Sequence, residues 1–254
     1  MKAFAESTLR LAAGFVCVSA LVSVMVPILV ILLPSRIARI RVTNTFGSWI
    51  GRSVMWCSGC RVTVLGTEHV SAERPAIYAC NHTSILDAFT TIWLTPAGTV
   101  GVAKKEVFFY PFYGQAWWLA GHVFVDRGRT SRAKEALRRT ARFIRERGLH
   151  LCILPEGTRA RDGRLLPFKK GVIHMALETK LPIVPMVTTG LQDVWRRGSL
   201  RIRPADVTIS FVPPRPTDRW TEESLDDHLA ELHARFVGAL PPEQRPATAV
   251  PAST

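Results

Sequence analysis

An α/β domain with a mixed, largely parallel sheet flanked by helices, behind an N-terminal hydrophobic membrane-anchoring helix or helical hairpin, is the architecture this sequence predicts. Short β-rich apolar runs alternate with helical ones over most of the chain, the pattern of strands joined by crossover helices. Residues 11 to 33 carry no charge at all. The roughly 200 residues that follow suffice for one domain with a real core.

As a helix the uncharged stretch would reach about 34 Å, enough for a hydrocarbon layer of about 30 Å. Val18-Ser19-Ala20 resembles a signal-peptidase site, but the apolar run continues far past it, so an uncleaved anchor is expected. Arg36, Arg39, Arg41 and Arg52 follow the run, against Lys2 and Arg10 before it, which puts the following domain on the cytoplasmic side. The segment either crosses the bilayer or turns back with residues 36 to 58 as a shallow hairpin. The expected units are therefore an anchor over 1–58, a domain over 59–240 and a Pro- and Ala-rich disordered tail over 241–254.

Strands are expected at 61–65, 76–80, 99–103, 123–125, 150–154, 183–188 and 207–212. Helices are expected at 85–94, 131–147, 171–179 and 222–237. Pro111 and Gly114 break any long helix in the aromatic stretch 107–120. In 131–147, Ala133, Leu137, Ala141 and Ile144 form a core stripe, while arginines and a lysine cover the other face. That face is either solvated or apposed to anionic headgroups or an acidic carrier.

The formal charge is +13 and the pI about 10.3, so an anionic partner is expected, and the apolar anchor favours a lipid surface. No zinc-finger spacing, RNP-like motif or basic zipper occurs, and no nucleic-acid partner is expected. Five cysteines (17, 57, 60, 80 and 152) sit in apolar stretches, which suits reduced thiols. Cys57 to Cys60 copies a redox spacing without the βαβ context, and one pair cannot fill a zinc site.

The densest chemistry lies in Asn81-His82-Thr83-Ser84-Ile85-Leu86-Asp87, directly after an apolar strand. A neutral histidine takes a proton from a hydroxyl near pH 7, and a carboxylate beside it fixes its tautomer and stabilises the imidazolium. Within one helix His82 and Asp87 would stand roughly 140° apart. They meet only if His82 lies at the strand end and Asp87 in the first turn of the helix, with Thr83 or Ser84 as N-cap.

Two further strands end in polar turns, Val123-Phe124-Val125-Asp126-Arg127 and Ile153-Leu154-Pro155-Glu156-Gly157-Thr158-Arg159. Open α/β sheets bind ligands beyond the carboxyl ends of their strands. Arginine suits phosphate there because its planar fork donates bidentately. Gly157 permits close approach of backbone, and its N–H is a candidate oxyanion donor. Lys104 adds a cation from another strand end, and Lys169 and Lys170 either touch phosphate or face solvent.

These three blocks, with Leu181-Pro182-Ile183-Val184-Pro185 as a fourth, resemble in order and spacing the glycerolipid acyltransferases of the bacterial 1-acylglycerol-3-phosphate acyltransferase type. The resemblance implies His82 as general base and Asp87 as its orienting partner. It implies a headgroup site of Arg127, Glu156, Gly157, Thr158 and Arg159 assisted by Lys104, with the Pro182–Pro185 block shaping the acyl side. Ala160 stands where the family often has serine, and Leu154 where an aromatic is common. The implied reaction moves an acyl chain from acyl-CoA or acyl carrier protein, as co-substrate and without a resident cofactor or metal, to a lysophospholipid hydroxyl at the membrane. Lysophosphatidate is the leading acceptor; a lyso-ornithine lipid, another lysophospholipid or glycerol phosphate are the alternatives. A serine hydrolase lacks its Gly-x-Ser-x-Gly here. A metal hydrolase lacks a third ligand, since His122, His150 and His174 read as structural. A non-catalytic membrane protein gives no reason for His82, Asp87, Glu156 and Arg159 to occur together, and a thioesterase stays open as a lower alternative.

Overall fold

The computed structural model describes residues 2–109, 113–125, 130–196 and 198–247. Its elements run α1 (Lys2–Ile31), α2 (Arg36–Cys57), β1 (Arg61–Leu65), β2 (Ile77–Cys80), α3 (Asp87–Leu94), β3 (Thr99–Lys104), α4 (Tyr113–Leu119), β4 (Val123–Val125) and α5 (Thr130–Arg147). They continue with β5 (His150–Ile153), α6 (Gly171–Thr179), β6 (Ile183–Thr189), α7 (Leu191–Val194), β7 (Asp206–Phe211) and α8 (Leu225–Ala239). One seven-stranded sheet has the order β1-β7-β6-β2-β5-β3-β4, and only β6 and β7 pair antiparallel.

The middle strands β2 and β5 are buried on both faces, as expected of a parallel sheet covered by helices. Strand alternation sends Ile77 and Ala79 into a core with Leu151, Ile173, Met175 and Phe236. Tyr78 and Cys80 enter a second core on the other face, with Val54, Met55, Leu86 and Met186. Each seven-strand expectation lies within about one residue of its observed element.

The N-terminal segment is a helical hairpin, and its two arms differ. Phe4–Ile31 of α1 is long and apolar enough to cross a membrane, with mean hydropathy 2.6, and only 11% of its most apolar stretch is buried. Phe15, Val16, Val24 and Ile31 stand exposed, so this is not a core helix of the domain. By contrast α2 belongs to the domain core. Its Asn44 carboxamide donates to the Thr99 carbonyl and accepts the Gly98 N–H. A Cβ on Gly51 would strike the Phe89 carbonyl oxygen, so glycine is what lets α2 lie against α3. Arg36 and Arg39 donate to the Gly121 and Leu119 carbonyls at the end of α4, where cations complement the helix dipole. Packing therefore does not divide at residue 58, the expected boundary.

The described residues continue past 241, where a disordered tail was expected, as far as 247. Pro242–Gln244 form a 3₁₀ turn, Gln244 is buried, and its carbonyl accepts the Leu165 N–H. Residues 248–254 lie outside the described residues.

Candidate active site

The turn after β2 brings His82 and Asp87 together as their spacing requires, by a cap different from the expected one. Helix α3 begins at Asp87, and neither Thr83 nor Ser84 caps it through its side chain. Instead the Asp87 carboxylate reaches back. Its Oδ2 accepts the backbone N–H groups of Thr83 at 2.7 Å and Ser84 at 2.8 Å, and meets His82 Nδ1 at 2.9 Å. Asp87 is 1% exposed and the His82 side chain 21%. With its N–H on Nδ1 donated to Asp87, His82 carries the lone pair on Nε2, the nitrogen that no described residue occupies. That is the arrangement of a general base.

The strand-end residue Asn81 holds the turn from below. Its carboxamide donates to the Thr188 carbonyl and accepts the Thr188 N–H, both at 2.8 Å, which locks the end of β2 to β6. The Leu181–Pro185 block forms the start of β6 in register with β2. Asn81 was visible in the motif, yet nothing in the sequence distinguished a two-way backbone clasp from a solvent-facing cap.

The turn after β5 closes over His82 from the other side. Glu156, 2% exposed, accepts the His82 N–H on Oε1 at 2.6 Å and the Leu166 N–H on Oε2 at 3.0 Å. The Ala160 N–H donates to the His82 carbonyl at 2.9 Å. Glu156, which the resemblance assigns to the headgroup site, is buried here with one backbone N–H on each oxygen, an arrangement that holds the His82 turn. Gly157, at φ +70°, needs its glycine conformation, but its N–H donates to the Leu154 carbonyl at 3.0 Å in the turn.

Thr158 is exposed and Arg159 partly buried, in the turn between Glu156 and Ala160, which both bond the His82 backbone. Lys104 ends β3 opposite Val125 of β4. Arg127 lies outside the described residues. Lys170 faces away into an ion pair with Asp226 at 2.7 Å. His122 and His150 accept the Gly101 and Ala76 N–H groups, as structural histidines do. Burial pushes the Cys60 thiol up to about 11, the reverse of a reactive redox thiol. Among the described residues no group of three or more His, Cys, Asp or Glu could hold a metal.

Burial pushes the Glu156 carboxyl up to about 8 from 4.5, against the pull of its two N–H donors and with a further push from Asp87. Between those values the unfolded chain has released this proton while the folded one keeps it. Stability from this group is thus full below about pH 4 and is lost as pH rises towards 8. The expected outcome is a melting temperature that falls between pH 5 and 8 more steeply in the wild type than in Glu156→Gln, which has no such proton. Parallel pH profiles in thermal unfolding would contradict it.

The geometry, a base oriented by a buried carboxylate at the mouth of an α/β sheet, agrees with comparisons to known proteins. The family described as Acyltransferase matches residues 61–189, half of the chain. The 1-acyl-sn-glycerol-3-phosphate acyltransferase of Limnanthes douglasii is 47% identical over 219 residues, 86% of this chain and 77% of that protein. The Cocos nucifera protein of the same name is 46% identical over 240 residues, 94% and 77%. The human 1-acyl-sn-glycerol-3-phosphate acyltransferase alpha is 33% identical over 172 residues, 68% and 61%. The crystal structure of the 1-acyl-sn-glycerophosphate acyltransferase PlsC from Thermotoga maritima shares the fold, at TM-score 0.75 and 22% identity over 94% of this chain and 95% of that one. With the matched region running from β1 to the end of β6 and so enclosing the whole His82 site, the chain belongs to the Acyltransferase family.

Proposed function

We propose that this protein transfers an acyl chain from acyl-CoA or acyl carrier protein to the free hydroxyl of 1-acylglycerol-3-phosphate, giving phosphatidic acid. The observation that carries the reading is the 2.9 Å contact of His82 Nδ1 with the buried Asp87 carboxylate, which leaves Nε2 as base. The names of the curated relatives supply the acceptor and the product class.

His82 Nε2 takes the proton of the acceptor hydroxyl, and the oxygen attacks the thioester carbonyl. As the C–S bond breaks, the imidazolium returns its proton to the departing thiolate, so no acyl-enzyme forms. Asp87 stabilises the imidazolium meanwhile. Arg159 and Thr158, in the turn whose Glu156 and Ala160 bond the His82 backbone, with Lys104 at the end of β3 and with Arg127, are assigned to the acceptor's phosphate. The block order and spacing support the bacterial type within the family. The bare apolar surface of α1 supports attachment to a membrane, and the arginines after it a cytoplasmic active site.

Purified protein with one acyl-CoA and a panel of acceptors tests this by mass spectrometry of the products. Phosphatidic acid is expected from 1-acylglycerol-3-phosphate at a rate well above that with glycerol 3-phosphate or an uncharged-headgroup lysolipid. A preference for another lysolipid would replace the acceptor and keep the chemistry.

A further inference from the structure

After α7 the chain folds back on itself before it enters β7. The Arg203 N–H donates to the Val194 carbonyl at 2.9 Å. Between them the Trp195 indole N–H donates to the Ser199 carbonyl at 2.7 Å, and the Arg201 N–H to Ser199 Oγ at 2.9 Å. The loop is thus held by its own hydrogen bonds.

Two further bonds tie it to parts of the protein with assigned roles. The Ile202 N–H donates to Ser7 Oγ of α1 at 2.9 Å, and both residues are buried. The Ser84 hydroxyl donates to the Trp195 carbonyl at 2.8 Å, while the Ser84 N–H donates to the Asp87 carboxylate. The loop therefore joins the apolar arm to the catalytic turn.

Its outer side is cationic with an apolar tip. Leu200 is 82% exposed, and Arg196, Arg201 and Arg203 are exposed with it. No Asp or Glu occurs from 194 to 205, and among the described residues none of these three arginines forms an ion pair. A lone exposed leucine needs no explanation. Three unpaired arginines beside one, on a loop docked against an apolar helix, do need one. Arginine carries an apolar stem below a charged head, so the group suits the boundary where headgroup phosphates meet acyl chains. Phe4 and Leu9, on either side of Ser7, are exposed as well. An acidic protein or a nucleic acid would engage the arginines and leave Leu200 and this stretch of α1 bare.

We propose that Arg196, Leu200, Arg201 and Arg203 rest on an anionic lipid surface, with Leu200 entering below the headgroups. The contact holds the catalytic turn to the bilayer that carries the acceptor. Where α1 attaches the protein to any bilayer, this loop makes its seating depend on lipid charge. The proposal rests on the membrane attachment proposed above, and flotation tests that attachment separately.

The full-length protein is reconstituted with vesicles of phosphatidylcholine alone and with vesicles of phosphatidylcholine and phosphatidylglycerol in equal parts. It is expected to float with both, and amide hydrogen exchange around Leu200 is expected to be slower on the anionic ones. One arginine at such a surface is worth roughly fivefold in surface affinity, so Arg196→Gln/Arg201→Gln/Arg203→Gln should abolish the difference. Leu200→Ser, at a side chain that packs on little else, should weaken it. In uncharged detergent the triple variant should melt like the wild type and keep kcat and both KM values within about twofold, as exposed substitutions do. Wild-type protein that floats with both vesicles but exchanges equally on them would overturn the proposal. So would a donor or acceptor KM that rises in detergent, because the arginines would then serve a substrate or its carrier. Protein that floats with neither would refute attachment by α1 and this contact together. Exchange needs no turnover, so none of these results depends on the acceptor assigned above.

Discussion

His82→Ala is expected to lower kcat by about 10²–10⁴-fold, the usual worth of a well-placed general base, without unfolding the protein. The side chain is partly exposed and makes one hydrogen bond, to Asp87. The backbone N–H to Glu156 and the carbonyl to Ala160 survive the substitution, so the turn keeps its shape. Acceptor KM should change little, because the phosphate is assigned to other residues. The readouts are steady-state kinetics and a thermal unfolding curve on the same preparation. A His82→Ala protein that melts normally and retains a tenth of wild-type kcat would remove His82 from the chemistry.

Asp87→Asn is expected to cost a similar factor by a different route. An asparagine can turn its oxygen to the three donors that Oδ2 serves now, which sends its NH₂ to the place of Oδ1. That atom is buried and has no partner, so the new donor would be orphaned at about 1–3 kcal/mol of stability. The larger consequence is electrostatic, since a neutral amide no longer stabilises the imidazolium formed when His82 takes its proton. Adding Asp87→Asn to His82→Ala should then cost almost nothing further, as for residues that act as a unit. Fully additive losses in the double variant would show that Asp87 acts on something other than His82.

The sheet was legible because buried parallel strands are short apolar runs with little else to confuse them, and 61–65 and 123–125 coincide with β1 and β4 to the residue. The spacing of His82 and Asp87 after an apolar strand allowed the pair to meet, and the other blocks in their order, not the spacing alone, gave it a role. What a sequence hides is the use of a polar group after folding. Asp87 caps the turn from inside its own helix, where Thr83 and Ser84 had looked like the caps but instead donate to it. Glu156 sits in a block that reads as a headgroup site, yet its carboxyl group is buried and accepts the backbone N–H groups of His82 and Leu166, residues 74 and 10 positions away. The Gly157 N–H is taken by a local turn. Helix α2 looked like the return arm of an anchor, but Asn44 and the contact of Gly51 with α3 make it core, and neither partner can be named from sequence.

The account stands or falls on an acyl transfer that needs both His82 and a lysolipid acceptor. The direct measurement is thiol release from one acyl-CoA by the purified protein, with and without 1-acylglycerol-3-phosphate, beside His82→Ala. Release is expected only when acceptor and His82 are both present. Thiol release that proceeds without acceptor and survives His82→Ala would contradict it, and would describe a thioesterase acting through other residues.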